Sequence, residues 1–200
     1  MPISHLAAQV ISIPDVLRGD PGAAERLIAT VVAARPGLPV VFAMGAVTWI
    51  CPYGAVLLHG LCRYTTQRTG QAVELVGLAP NVHAYLRRID FLEQAAGVAY
   101  TTTAFDPRDD YTRSRRSQSV LELFPVGTTD QAQAACARAD RIVRSRLAGL
   151  GSDTIGNIIM VLSEVCHNVA EHSLDEGLVI AQKYAQGRRS ASVGCPDRDR

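Results

Sequence analysis

The chain alternates short aliphatic runs with longer stretches in which apolar residues recur at helical spacing. The runs LPVVFAM (38–44) and AVELVGL (72–78) are rich in Val and Leu and bounded by Pro or Gly, which predicts two strands. Helical spacing predicts helices over 23–34, 54–70 and 81–91. Asn81 is the expected N-cap of the last one. Because strands alternate with helices, this half of the chain is expected to form an α/β layer.

The second half resumes this mixture after a polar interruption. Residues 105–119 (FDPRDDYTRSRRSQS) are charged, serine-rich and nearly free of aliphatic side chains, which predicts a linker. Its four arginines are read as solvated, with a phosphate or nucleic-acid contact as the alternative. The segments after it predict a strand over 120–126, helices over 128–151 and 152–173, and a strand over 177–185. The predicted organisation is a first domain over 1–104, a linker over 105–119 and a second domain over 120–200.

Composition excludes several classes of partner. Of the 200 residues, 48% are hydrophobic and 20% charged, which is enough to bury a core. The net charge of +1 gives no electrostatic reason to expect a nucleic-acid or membrane partner. No apolar run approaches the roughly 18 residues of a membrane span, and the N-terminus makes a poor signal peptide. Five widely spaced cysteines without a CxxC pair argue against a disulfide framework and favour a cytoplasmic protein.

The segment LSEVCHNVAEHS (162–173) concentrates the candidate chemistry. Glu164, Asn168 and His172 follow at intervals of four residues, so on a helix each is rotated by only about 40° from the one before. An asparagine oxygen suits Mg²⁺, and a glutamate one turn earlier suits a general base. From the spacing alone, the alternative is that these three residues bind no ligand and are simply solvated on an exposed face of the helix. A neighbouring apolar stripe is expected to anchor the helix: Ile158, Leu162, Val165 and Val169.

A zinc site on the same segment is not favoured. Helical zinc motifs of metalloproteases place two histidines four residues apart. His167 and His172 are five apart and diverge by about 140° around a helix, so one ion is not easily held by both. Other conspicuous side chains receive no chemical role: His59 and His83 are read as structural or solvated, and Trp49 and Phe42 as core residues.

Residues 120–187 resemble the GHKL ATPase superfamily, and its anti-sigma-factor serine kinase branch most closely. The N-box helix of that family reads E-x-x-x-N-x-x-x-H-(A/S), which Glu164, Asn168, His172 and Ser173 match in register. The resemblance implies an ATP site in which Asn168 coordinates Mg²⁺, Glu164 acts as general base or water positioner, and His172 supports the nucleotide pocket. Family members continue into two glycine-rich boxes and a lid, which are not found before the final ASVGCPDRDR. A truncated or degenerate site with weak or no ATP affinity is therefore expected.

Residues 1–104 resemble a STAS domain, the fold of anti-sigma-factor antagonists. The register is carried by the segment from VTWICPYGAVLL to NVHAYLRRIDF, in which the D-S-S-G of the family becomes Cys51-Pro52-Tyr53-Gly54. The phosphorylatable serine of the family therefore falls on Tyr53. Three interpretations stay open: Tyr53 as an aromatic docking contact, Cys51 as a thiol activated near a helix N-terminus, or both as residues at the edge of the core.

Together the resemblances imply an α/β protein, in which a STAS-like sheet with helices is followed by a partial α/β sandwich of the GHKL (Bergerat) type. The implied function is that of a bacterial, cytoplasmic regulator of the partner-switching kind, with a regulatory protein partner and ATP–Mg²⁺ as cofactor. A full-length form would transfer the γ-phosphoryl group to a serine of an antagonist protein, and a homodimer is left open. The alternative is a non-catalytic interaction or scaffold module. A nucleic-acid-binding regulator is a third interpretation, against which the neutral net charge argues.

Overall fold

A parallel four-stranded sheet forms the centre of the first half. The computed structural model describes residues 8–17, 20–102, 120–146, 149, 151–173 and 176–182, so the predicted linker lies outside the described residues. The sheet has the order β1 (Gln9–Ser12), β3 (Val40–Ala43), β5 (Val73–Val76) and β6 (Ala99–Tyr100), and every pair in it is parallel. A short parallel pair, β2 (Val16–Leu17) with β4 (Trp49–Ile50), lies beside it. The strands predicted over 38–44 and 72–78 are confirmed as β3 and β5.

The described residues of the same half form four helices: α1 (Pro21–Val32), α2 (Pro52–Thr69), α3 (Pro80–Arg88) and α4 (Phe91–Gln94). The first three begin at proline, which suits a first turn where no amide hydrogen bond is needed. Helix α2 ends at Gly70, whose φ of 72° is the left-handed conformation that glycine adopts without strain. The predicted cap at Asn81 is wrong, because α3 already begins at Pro80 and the Asn81 side chain donates to the Thr48 carbonyl at 2.9 Å.

The described part of the second half contains two strands and two helices, as the sequence predicts: β7 (Val120–Val126), α5 (Thr129–Arg146), α6 (Ser152–His172) and β8 (Gly177–Gln182). Strands β7 and β8 pair antiparallel and form a two-stranded ribbon. Helix α5 starts with a reciprocal cap, in which Thr128 Oγ1 accepts from the Gln131 N–H at 3.2 Å and Gln131 Oε1 accepts from the Thr128 N–H at 3.0 Å. None of the helices within the described residues is long and apolar enough to cross a membrane.

The β7–β8 ribbon lies between the first half and helices α5 and α6, and it carries apolar residues on both faces. Leu123, Leu178 and Ile180 pack into the core of the first half. The Leu123 N–H also donates to the Ile89 carbonyl at 2.9 Å, at the end of α3. On the opposite face, Val126 and Val179 pack against α5 and α6. This alternation of neighbouring residues follows from the pleat of a strand, and it gives the two halves a shared core.

The main core confirms one predicted aromatic and corrects another. Phe42 is fully buried in the centre of β3. Trp49, expected in the core, is 36% exposed. Strand β4 has only two residues, and Ile50 is the one that faces the core, so its neighbour Trp49 points to the other side. The architecture is thus a mixed α/β fold with a parallel sheet and flanking helices.

Candidate functional site

Helix α6 carries the residues singled out in the sequence and packs against α5 and the ribbon. The centre of its buried face is Cys166, which is 3% exposed, with Ile155 on the same side. The expected anchoring stripe is therefore only half right, because Leu162 and Val169 pack into the core whereas Ile158 and Val165 are 39% and 55% exposed. At about 100° per residue, the buried face is rotated by roughly 50° from the predicted stripe.

Glu164, Asn168 and His172 all lie on the exposed side of α6. From the helical spacing they form a line about 12 Å long, pointing away from the Cys166 face. Glu164 and Asn168 have no hydrogen bond or ion pair within the described part of the chain. His172 is 74% exposed at its side chain, with Nε2 at 4.0 Å from Glu171 Oε2. The structure thus brings the three residues to one open face, and their polar atoms are available to a ligand.

His167 is placed differently from these three residues. Its Nδ1 lies 2.8 Å from the Ser163 carbonyl oxygen, which only accepts, so Nδ1 carries the proton and donates to the backbone of its own helix. Over the described residues, no group of three or more His, Cys, Asp or Glu side chains is arranged to hold a metal ion. A Mg²⁺ ion that is carried by nucleotide phosphates does not need such a group, because one or two protein oxygens complete its shell.

The N-terminus of α2 corresponds to the D-S-S-G motif of the STAS resemblance. Cys51 is the N-cap of the helix, and its Sγ accepts from the Gly54 N–H at 3.3 Å. A Cβ on Gly54 would lie 2.5 Å from the Leu17 carbonyl oxygen, so only glycine fits where the helix passes strand β2. Tyr53, by contrast, is 50% exposed. Cys51 therefore acts as a structural cap, and Tyr53 is accessible from solvent.

Comparison with known proteins adds nothing to these observations. No family model matches the chain, and no curated protein or solved structure matches it either.

Two side-chain pairs around α5 were not singled out in the sequence. Glu122, in the middle of β7, is 5% exposed and pairs with Arg138 at 2.6 Å. Cys166 lies in the same apolar cluster as Cys136 of α5, and burial, followed by the neighbouring Cys136 thiol, raises the pKa of the Cys166 thiol to about 11. No local pattern in the sequence marks either pair, because the partners of each pair are far apart in sequence.

Proposed function

We propose that the chain is a regulatory protein of the partner-switching kind, with a Mg²⁺–nucleotide site on the exposed face of α6. The observation that carries the proposal is that Glu164 and Asn168 lie one turn apart on this face, with their polar atoms unpaired in the described part of the chain. The STAS-like and GHKL-like resemblances of the two halves support the same interpretation.

The donor set of this face fits a nucleotide that carries Mg²⁺. Asn168 would supply its amide oxygen to the ion, which prefers oxygen ligands at about 2.1 Å and keeps several waters. Glu164 would orient the attacking hydroxyl or water and accept its proton. His172, two turns from Glu164, would contact the nucleotide. Bound Mg²⁺–ATP would supply the phosphoryl group and the charge that neutralises it. The partner would be a regulatory protein, for which the exposed Tyr53 region offers one docking surface.

Thermal unfolding with and without Mg²⁺ tests the proposed site. A ligand that binds the folded state alone raises the unfolding midpoint in proportion to the logarithm of its concentration. Since the sequence leads us to expect weak affinity, we expect millimolar ATP to raise the midpoint of the full chain by a small amount when Mg²⁺ is present, and to have a smaller effect in EDTA. An equal rise in both conditions would assign the binding to a site that does not use the ion. No rise at millimolar ATP would remove the nucleotide part of the proposal.

The second candidate function is a non-catalytic interaction module, and a specific observation favours it. Four large apolar residues of α6 are between 39% and 60% exposed: Ile158, Met160, Val161 and Val165. Exposed apolar residues that are close together mark interaction sites more often than isolated ones do. Val161 and Val165 lie on the same side as Asn168, so a protein partner would cover the polar line as well. Replacing Val165 with glutamate should then weaken partner binding, without an effect of ATP.

A further inference from the structure

Two cysteines meet where α5 packs against α6, on the side of α6 away from Glu164 and Asn168. Cys166 belongs to the apolar cluster under α6, and Cys136, which is half-buried, packs against that cluster. Both are free thiols, and the neighbouring Cys136 adds to the effect of burial that raises the pKa of Cys166. The pair therefore combines one thiol that solvent reaches with a second, buried thiol in the same cluster. This arrangement has no role in the function proposed above.

We propose that Cys136 is an oxidation site for hydroperoxides and that Cys166 resolves it, so that the pair becomes a disulfide joining α5 to α6. In the first step the Cys136 sulfur attacks the hydroperoxide, the O–O bond breaks, and Cys136 becomes a sulfenic acid while an alcohol or water leaves. In the second step the Cys166 sulfur attacks the Cys136 sulfur, an S–S bond forms, and the hydroxyl leaves as water with the Cys166 proton. Two thiols are oxidised and one hydroperoxide is reduced.

The order of the two steps follows from burial. Cys136 is half-buried, whereas Cys166 is 3% exposed, so a hydroperoxide reaches Cys136 first. The thiolate is the reacting form, and a Cys166 pKa of about 11 keeps that thiol protonated at neutral pH. Resolution by Cys166 should consequently accelerate as the pH rises. Cys62 provides a contrast, because it is fully buried in the other core cluster and burial alone raises the pKa of its thiol.

The disulfide would fix the position of α6 on α5. It closes a loop of about 30 residues, and cross-links of this length stabilise folded proteins mainly by restricting the unfolded chain. The midpoint of thermal unfolding should rise on oxidation by roughly 5–10 °C, and the rise should disappear when a reductant is added. This expectation does not rest on nucleotide binding.

Peptide mapping of the full chain after treatment with hydrogen peroxide tests the proposal. Trypsin should release, without reduction, one disulfide-linked species that joins peptide 117–138 to peptide 147–183. The variant Cys166→Ser should leave a sulfenic acid on Cys136 that dimedone traps. Cys136→Ser should leave Cys166 reduced, and the matched control Cys62→Ala should keep the cross-link.

Three outcomes would overturn the proposal. The first is that both thiols of the unsubstituted chain stay open to alkylation after treatment with hydrogen peroxide. The second is that the oxidised cysteines link to other cysteines or between chains. The third is that dimedone labels Cys166 instead of Cys136. The mapping of the unsubstituted chain decides the main point even where a variant folds poorly.

Discussion

Arg138 is expected to hold α5 on the ribbon through a pair that is only partly open to water. Its Nη2 lies 2.6 Å from Glu122 Oε2, and the two side chains are 38% and 7% exposed. The guanidinium also lies over the Phe124 ring, at 5.2 Å from its centroid. If Arg138 is replaced with methionine, the stem keeps its packing, while the Glu122 carboxylate stays buried without its cation.

The size of the effect follows from this intermediate burial. Removing one partner of a fully buried ion pair costs about 3–5 kcal/mol, whereas an exposed pair contributes about 0–1 kcal/mol. Because Glu122 is buried and Arg138 still reaches water, we expect Arg138→Met to lower the free energy of unfolding by about 2 kcal/mol. For a chain of this length that corresponds to a fall of roughly 4–8 °C in the unfolding midpoint.

A double-mutant cycle measured by urea unfolding separates the pair from its surroundings. Arg138→Met and Glu122→Gln are made singly and together, and we expect a coupling energy of about 1–2 kcal/mol. The matched control is Arg144→Met on the same helix, whose pair with Asp140 at 2.8 Å has side chains 59% and 31% exposed. That change should leave the midpoint nearly the same. Equal effects of Arg138→Met and Arg144→Met would refute the reasoning.

Three further predictions concern the first half and its contact with the ribbon. Leu123→Ala should lower the free energy of unfolding by about 3 kcal/mol in one cooperative urea transition, and a loss below about 1 kcal/mol would mean that the halves do not share a core. Gly54→Ala should destabilise by about 1–3 kcal/mol through contact with Leu17, whereas Gly60→Ala on the same helix, with open space around it, should stabilise by about 0.5–1 kcal/mol; effects of the same sign would contradict the packing. Burial lowers the pKa of His59 from its usual value of 6.5 in the folded chain. As the pH falls below 6.5, the unfolded chain therefore takes up a proton at His59 before the folded chain does, and the folded state loses stability. His59→Gln, measured by thermal unfolding between pH 5 and 8, should reduce this loss, and an unchanged pH dependence would exclude His59 as its source.

The extent to which the sequence predicts the fold depends on how local each feature is. The periods of two and 3.6 residues locate β3, β5, β7 and the long helices correctly, because these patterns are set within each element. The prediction of which face of α6 is buried is wrong, because apolar residues cover more than half of the circumference of this helix. Only the tertiary packing selects Cys166 rather than Val165 for burial. The shared core at Leu123 depends on a partner at Ile89, which no local pattern shows.

For the candidate site, too, the sequence predicts the local geometry but not the features that depend on tertiary packing. The four-residue spacing of Glu164, Asn168 and His172 placed them correctly on one face, since helix geometry alone determines it. Their exposure was not determined by spacing, because it depends on what packs against α6. The ligand of this face and the partner of the chain stay predictions.

Calorimetric titration with Mg²⁺–ATP of two asparagine variants tests the central proposal most directly. Asn168 and Asn157 are both exposed on α6 and are about 16 Å apart along the helix axis, so Asn157→Ala is a matched control for Asn168→Ala. Circular dichroism would first establish equal helix content in both variants. We predict that Asn168→Ala weakens binding at least about tenfold, equivalent to about 1.4 kcal/mol, while Asn157→Ala retains the affinity of the unsubstituted chain. Equal affinities in all three proteins, or no binding to the unsubstituted chain, would contradict a Mg²⁺–nucleotide site on this face of α6.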